Sequence, residues 1–363
     1  MRVLQVLGTS AGGVGRHVHG LAAGLVERGH EVTVCCPTGV EEHFCFAGTG
    51  ARVVTVPISD RPHPRNDARA TTVLREQVEQ ADVVHAHGLR AGALAVLAAT
   101  GHDAPVVVTL HNATPQGRWT SRVYAVLERL VARRASLVLG VSADLVERQR
   151  ELGATTGDLA VIPAPRPPAQ VTPRHTVREQ LGVAEGSVLV VAVGRLAVQK
   201  GFPLLLEAAS RLTDLDVLFV VAGEGPLRGA LEDTIRRNGL PVRLLGSRRD
   251  VPDLLGAADI VASTALWEGQ PLNLQEALHA GAAIVATDVG GTRAVLGDAG
   301  VLIPGGDAEA LAGALRDLVL QPERRAALQA RARRRAAELP TDDDAVEAAL
   351  AGYRSVTGVL GAS

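Results

Sequence analysis

The 363-residue chain has almost no net charge, few cysteines and no long apolar run, and each shortage removes a class of function. Lys and Arg total 37 against 39 Asp and Glu, a formal charge of -2 at pH 7, and no region is densely basic. That excludes a nucleic-acid binder held by a charged face, and the 47% hydrophobic content describes a globular protein instead of a solvated tail. No stretch approaches the roughly 18 apolar residues that a membrane-crossing helix requires. The start, Met1-Arg2-Val3-Leu4-Gln5-Val6-Leu7, runs straight into a short strand, without the charged start, apolar core and cleavage site of a leader. A cytosolic location is expected. Of the three cysteines, Cys35 and Cys36 lie in the apolar run Val32 to Cys36, so buried free thiols are expected for them and for Cys45, in preference to a disulfide or metal site.

What the chain does contain is an alternation. Strands are expected at 3–8, 31–35, 52–56, 82–85, 105–110, 137–141 and 159–162, with helices at 14–28, 68–79, 118–133 and 143–152. Such alternation means parallel strands joined by crossover helices, hence an open α/β sheet. Pro163-Ala164-Pro165-Arg166-Pro167-Pro168-Ala169 is too rich in proline for helix or central strand and reads as a stiff linker. The alternation then restarts, with strands at 188–193, 217–222, 242–245, 259–263, 283–287 and 301–303. The length also suits two cores better than one. The expected division is a domain at 1–163, a linker at 164–175, a second domain at 176–340 and a final helix at 341–363. That helix opens on Thr341-Asp342-Asp343-Asp344, read as a cap and dipole-favoured acids and not as a metal site, and carries Ala345, Val346, Ala349, Leu350 and Tyr353 on one face.

Six segments could carry chemistry. The first strand ends in Gly8-Thr9-Ser10-Ala11-Gly12-Gly13-Val14-Gly15 before an amphipathic helix, a turn that lets a ligand reach the backbone at a helix N-terminus. A dinucleotide fold would need an acid at the end of the second strand, where Cys35-Cys36-Pro37 stands, and a Walker loop would need a terminal Gly-Lys-Ser/Thr. His85, His87 and His111 close later strands, at the ends that face the ligand crevice in open α/β sheets. They suit substrate contact better than zinc, with packing or capping as the plain alternative for His85 and His87. Arg195 and Lys200 place two cations on one strand-loop-helix corner, able to neutralise a diphosphate. Gly223-Glu224-Gly225-Pro226 repeats the tight turn for close approach to a nucleotide. Finally, Trp267-Glu268-Gly269-Gln270-Pro271-Leu272-Asn273-Leu274-Gln275-Glu276 puts Glu268 in a loop, Pro271 in a first helical turn and Glu276 within the helix. Amides at a helix start favour phosphate, and carboxylates on either side accept from hydroxyls. A nucleotide sugar has that layout.

Taken in order, Gly12-Gly13, His111, Gly194-Arg195 with Lys200-Gly201, Gly223-Glu224-Gly225-Pro226 and the E-x7-E segment from Glu268 to Glu276 resemble the retaining GT-B glycosyltransferases of family 4. The resemblance implies two Rossmann-like domains facing an interdomain cleft, the acceptor side in the first and the donor in the second. It also implies that the final helix packs back on the first domain. Residue by residue, it puts Arg195 and Lys200 at the donor diphosphate, Glu276 at the ribose hydroxyls, Glu268 at the transferred sugar and His111 beside the reacting centre. Gly12, Gly13, Gly223, Gly225 and the backbone at Leu272, Asn273 and Leu274 would bind donor, and the Gly246-Ser247-Arg248-Arg249-Asp250 turn would neighbour the base. No metal or cofactor is implied. Asp214-Leu215-Asp216 has the spacing of metal-dependent transferases but precedes a strand, away from the crevice.

Gln270 and Pro271 stand where an aromatic residue and a glycine are commoner in the family, and Pro271 removes one amide from the phosphate cradle. The expected activity is metal-independent, retaining transfer of a sugar from a nucleoside-diphosphate sugar to an acceptor hydroxyl. A GT-B epimerase and a non-catalytic nucleotide-sugar binder are the competing readings. The acceptor is open among lipid-linked, polysaccharide and small-molecule hydroxyls, with its pocket expected from the loop Arg61 to Asn66 and the segment Pro115 to Trp119. Arg61 and Arg65 would suit an anionic acceptor or peripheral contact at the inner face of a membrane, with a solvated loop as the plainer and favoured reading.

Overall fold

Runs of Val, Ile, Leu and Ala become strands covered on both faces, which only a sheet flanked by helices on both sides allows. In the computed structural model, which describes residues 1–10, 12–59, 62–112, 120–164 and 172–358, the chain divides into two compact units. One comprises Met1–Pro163 with Pro340–Ser363, the other Ala164–Leu339.

The first unit is built on β1 (Arg2–Leu7), β2 (Glu31–Cys36), β3 (Arg52–Thr55), β4 (Val83–His87), β5 (Val106–Leu110), β6 (Leu137–Gly140) and β7 (Gly157–Leu159). Every pairing is parallel, in the order β3-β2-β1-β4-β5-β6-β7. The second unit repeats the plan with β8 (Val188–Val193), β9 (Val217–Ala222), β10 (Val242–Gly246), β11 (Ile260–Ser263), β12 (Ala283–Thr287) and β13 (Gly300–Ile303), ordered β10-β9-β8-β11-β12-β13. In both, the strand order reverses beside the first strand of the unit. There the crossover helices part, and the carboxyl ends of the strands open a crevice.

The helix Gly13–Glu27 buries Val18, Leu21, Ala22 and Leu25 against the first sheet. Against it lies the last helix, Asp342–Thr357, with Ala345, Val346, Ala349, Leu350 and Tyr353 buried. Its start is a capping box: the Thr341 side chain accepts from the Asp344 amide, and Asp344 accepts from the Thr341 amide. Gly24 permits the approach, since a Cβ there would meet Val346 at 2.6 Å. Arg28 adds charge-assisted bonds to Asp343 (2.8 Å) and Glu347 (3.1 Å). Full burial of each large side chain on this face contributes roughly 1.5–3 kcal/mol, so the returning helix is a working part of the first core. Among the described residues, no helix is long and apolar enough to cross a membrane.

Several expectations need correction. Cys35 and Cys36 are buried and free, but Cys45 is exposed, because it forms the left-handed cap (φ 54°) where the helix Thr38–Phe44 stops. The helix Pro64–Val78 begins earlier than expected: the His63 ring accepts from the Asn66 amide, and Pro64 tolerates a first turn. Arg65 and Asn66 are therefore helical and not part of a loop, while Arg61 and Pro115 to Trp119 lie outside the described residues. A helix starts at Arg174, inside the segment read as linker.

Candidate active site

The strongest local construction stands at the carboxyl ends of β8, β9, β11 and β12. After β8 the chain passes Gly194 and Arg195 and makes a short turn, Val198–Lys200, before Gly201 starts the helix Phe202–Ser210. This loop is stitched to the one after β11. Leu266 donates its amide to the Gln199 carbonyl (2.8 Å), the Gln199 side chain donates to the Trp267 carbonyl (3.1 Å), and the Thr264 hydroxyl donates to the Lys200 carbonyl (3.0 Å). Gly201 has φ 62°, and a Cβ on it would lie 1.9 Å from the Thr264 oxygen. Only glycine permits that seam.

The result is an ion pair between Lys200 and Glu268. Glu268 is 7% exposed, and the Lys200 stem runs over Gly194. A charged pair is tolerated in so closed a place because each group satisfies the other. The backbone of Glu268 is clamped as well: Gly291 donates its amide to the Glu268 carbonyl (3.0 Å), and a Cβ on Gly290, at φ 52°, would fall 1.9 Å from that same oxygen. The Arg195 side chain, by contrast, is exposed and makes no hydrogen bond or ion pair among the described residues, while its carbonyl accepts from the Ala197 amide (2.7 Å).

Pro271 caps the helix Leu272–His279 and does not enter it, a one-residue shift from the expected first turn. Its carbonyl accepts from the Leu274 (3.1 Å) and Gln275 (3.2 Å) amides, so the expected donor contact at Leu274 meets an amide already in use. The amides of Leu272 and Asn273 have no partner among the described residues. Asn273 ties this helix start to the end of β8, its side-chain amide donating to the Val193 carbonyl (3.2 Å), while its own Oδ1 is buried without a partner. Glu276 follows three residues on, on the same helical face and half-buried.

Gly223 and Gly225 also make a close approach, but to their own chain. A Cβ on Gly223 (φ 151°) would meet the Gly194 oxygen at 1.9 Å, and one on Gly225 the Leu196 oxygen at 2.5 Å. Gly223 bridges to Gly246, after which Arg248 and Asp250 form a two-pronged pair at 2.8 and 2.6 Å. Asp214 is held by Arg316 and Asp216 by Ser187, both ahead of β9 and at the opposite strand ends from Lys200.

In the first unit the carboxyl ends of β1, β4 and β5 carry Gly12, Gly13, His87 and His111. Among the described residues the Gly13 and Val14 amides at the start of the helix Gly13–Glu27 have no partner, while the Gly15 amide is taken by the Ser10 hydroxyl (3.1 Å). No atom lies within 4 Å of a Cβ built on Gly12, so the chain itself does not require glycine there. His111 is half-buried and bonds through Nε2 to Nδ1 of His87 (3.2 Å). The rings of His17 and His111 meet edge-on with centroids 5.7 Å apart. Burial lowers the pKa of all four imidazoles in this group: His17 to about 4, His85 to about 3, and His87 and His111 well below the ordinary value. His85 and His87 are only 1% and 3% exposed, which makes them internal partners and not the substrate contacts favoured from the sequence.

The sequence reading missed His17, Gly290, Gly291, Thr264 and Gln199. A paired glycine in the loop after β12 was the available signal for the clamp on Glu268; the others depend on segments meeting in space.

Two family models cover most of the chain: the glycosyl transferase 4-like domain matches residues 12–165, and glycosyl transferases group 1 matches residues 173–335. The D-inositol 3-phosphate glycosyltransferase of Xylanimonas cellulosilytica is 31% identical over 367 residues, covering 89% of this chain and 87% of the relative. The glycogen synthase of Mycobacterium tuberculosis is 32% identical over 375 residues, covering 92% and 88%. In structure, Anabaena HepE, solved with UDP and glucose, matches 98% of this chain and 100% of its own at TM-score 0.82 and 21% identity, a likeness of fold. The chain belongs to glycosyltransferase family 4, with the two Rossmann-like units of the GT-B fold.

Proposed function

We propose that the protein is a retaining, metal-independent transferase that moves a sugar from a nucleoside-diphosphate sugar to an acceptor hydroxyl. The observation that carries this reading is the convergence of Lys200, Glu268 and the free amides of Leu272 and Asn273 in the second unit. When the bond between the anomeric carbon and the diphosphate breaks, negative charge gathers on the leaving oxygen. Groups fixed beforehand around that oxygen lower the barrier most. An ammonium has three N–H donors, so Lys200 can keep its bond to Glu268 and still give two to phosphate. Arg195, uncommitted and exposed, supplies a second cation, and the helix start a partial positive charge.

Glu268 then accepts hydrogen bonds from hydroxyls of the transferred sugar, and Glu276 from those of the ribose. Neither carboxylate serves as a nucleophile. The acceptor oxygen bonds to the anomeric carbon on the face the diphosphate leaves, and its proton passes to the departing phosphate oxygen. His111, neutral through burial, gives the reacting sugar a hydrogen-bonding partner without a competing charge. Charge balance supports independence from metal, since two side-chain cations and helix amides face one diphosphate. The neighbour solved with UDP and glucose supports a uridine nucleotide as the first donor to try. A relative named as a glycosyltransferase, matched over 89% of this chain, supports transfer over epimerisation or mere binding.

The test is a panel of nucleotide sugars screened by protection against thermal unfolding, followed by turnover in EDTA and NMR assignment of the product anomer. A stabilising nucleotide sugar, release of nucleoside diphosphate in EDTA and retained configuration are expected. Interconversion of free sugars, an inverted product or abolition by EDTA would overturn the reading. Glu276→Ala should weaken binding of the free nucleotide.

A further inference from the structure

One line of hydrogen bonds crosses the first unit from its last helix to His111. The Thr109 hydroxyl bonds Nε2 of His85 (2.7 Å), and Nδ1 of His85 bonds the Tyr353 hydroxyl (2.7 Å). Gln5 donates its side-chain amide to that hydroxyl (3.0 Å), while its Oε1 bonds Nε2 of His87 (2.6 Å). Nδ1 of His87 then bonds Nε2 of His111 (3.2 Å). Tyr353 and Gln5 are 0% exposed, His85 and Thr109 1% and His87 3%, so the line is buried along its length. The helix residue and the strand residue that meet at the centre, Gln5 and Tyr353, are 348 positions apart in the chain.

A neutral imidazole has one N–H and one bare nitrogen. An imidazole bonded at both nitrogens must donate on one side and accept on the other, so the line has a direction. With the Gln5 NH₂ on Tyr353, the phenol proton turns to Nδ1 of His85, and His85 donates from Nε2 to Thr109. On the other side Gln5 Oε1 takes the Nε2 proton of His87, whose Nδ1 can only accept from Nε2–H of His111. His111 is then left with a bare Nδ1, which has no partner among the described residues. Reversing the Gln5 amide would reverse every bond and put a proton on that nitrogen.

We propose that Tyr353, acting through Gln5 and His87, is a positioning residue that holds His111 as its Nε2–H tautomer, so that Nδ1 accepts a hydrogen bond from a substrate hydroxyl. The depressed basicity of these buried rings keeps the line neutral near pH 7. The catalytic consequence rests on the role proposed for His111 above; the tautomer itself does not.

The test is ¹⁵N NMR of the full-length protein labelled at histidine, with His111 assigned by difference against His111→Gln. The wild type should show a protonated Nε2 and a bare Nδ1 at His111. Tyr353→Phe keeps the buried ring but removes the hydroxyl, and Gln5→Met cuts the line independently of the helix. Each should give His111 mixed tautomers, a roughly fivefold to twentyfold lower kcat, and unchanged donor KM and nucleotide-induced thermal protection. Gln5→Glu in the Tyr353→Phe background offers only acceptors to His87 and should restore both the tautomer and kcat. A wild-type His111 protonated at Nδ1, or an unchanged His111 signal in both single variants, overturns the relay. A shifted tautomer with unchanged kcat leaves the relay standing and overturns the catalytic role of His111.

Discussion

At the carboxyl end of the first sheet stand neutral rings, and at the same end of the second stand charges and glycines. Of the 11 histidines only His175 and His279 lie in the second unit, and neither belongs to its loop cluster. His87 and His111 occupy ends of β4 and β5 equivalent in plan to those that carry Glu268 and Gly290 beyond β11 and β12. One architecture thus holds two kinds of electrostatics. The first unit packs buried, neutral rings against one another and their hydrogen-bond partners; the second fixes an ammonium and a carboxylate by backbone contacts so close that side chains are excluded. The lesson is that a shared fold sets where chemistry stands, while local burial decides which kind it is.

The contrast can be broken first at Lys200. Lys200→Ala should lower kcat by about a hundredfold to a thousandfold, equivalent to about 3–4 kcal/mol of transition-state stabilisation, in steady-state assays with a saturating donor. Unchanged turnover would show that the second unit does not act through charge. Gly290→Ala is next. Its Cβ meets the Glu268 carbonyl and its φ of 52° strains any side chain, so a loss of about 2–3 kcal/mol in denaturant unfolding is expected, with the exchange-labile region confined to the second unit. His111→Ala should cut transfer about tenfold to a hundredfold, the worth of one or two hydrogen bonds, and leave nucleotide binding intact; equal loss of both would make the ring merely structural.

The smallest effect sharpens the comparison by pH. In the folded state His85 and His17 protonate only near 3 and 4, against about 6.5 when unfolded. Above that unfolded value both states are neutral and nothing is gained or lost. As pH falls below 6.5 the unfolded chain takes protons that the folded chain refuses, so stability declines until the folded values are reached. By pH 5 the loss should be on the order of 1–2 kcal/mol per buried imidazole. Hydrogen exchange at pH 7 and 5, corrected for intrinsic rates, should show falling protection in the first unit and little change in the second. A uniform response would erase the distinction.

Much of this was written plainly in the sequence. Val188–Val193, Val217–Ala222 and Ala283–Thr287 fall where their apolar runs end in turn residues, because strands buried on both faces leave an uninterrupted signal. The edge strand Gly157–Leu159 lies earlier than expected: Asp158 and Leu159 are exposed and the strand pairs only with β6, so burial leaves no pattern to read. The helix Leu89–Ala98 escaped for the opposite reason. Nearly all of it is buried, so no polar face marks its period. At the site, Arg195, Lys200, Glu268 and Glu276 were legible as charges at strand ends and a helix start. The seam at Gly201, the clamp at Gly290 and the bond from Gln5 to Tyr353 were not, since each depends on segments that only folding brings together.

The return of the last helix to the first unit has a consequence for how the protein is made. Synthesis delivers residues 1–163 first, yet the surface that Gln5 and His85 bury against arrives only with residues 340–357. A ribosome therefore releases the second unit's complete sequence before the first unit can close. Until Tyr353 emerges, the nascent first sheet holds a glutamine and a histidine without their partner, together with the apolar face of the helix Gly13–Glu27. The histidine line of the first unit is therefore completed only after the whole of the second unit has been synthesised.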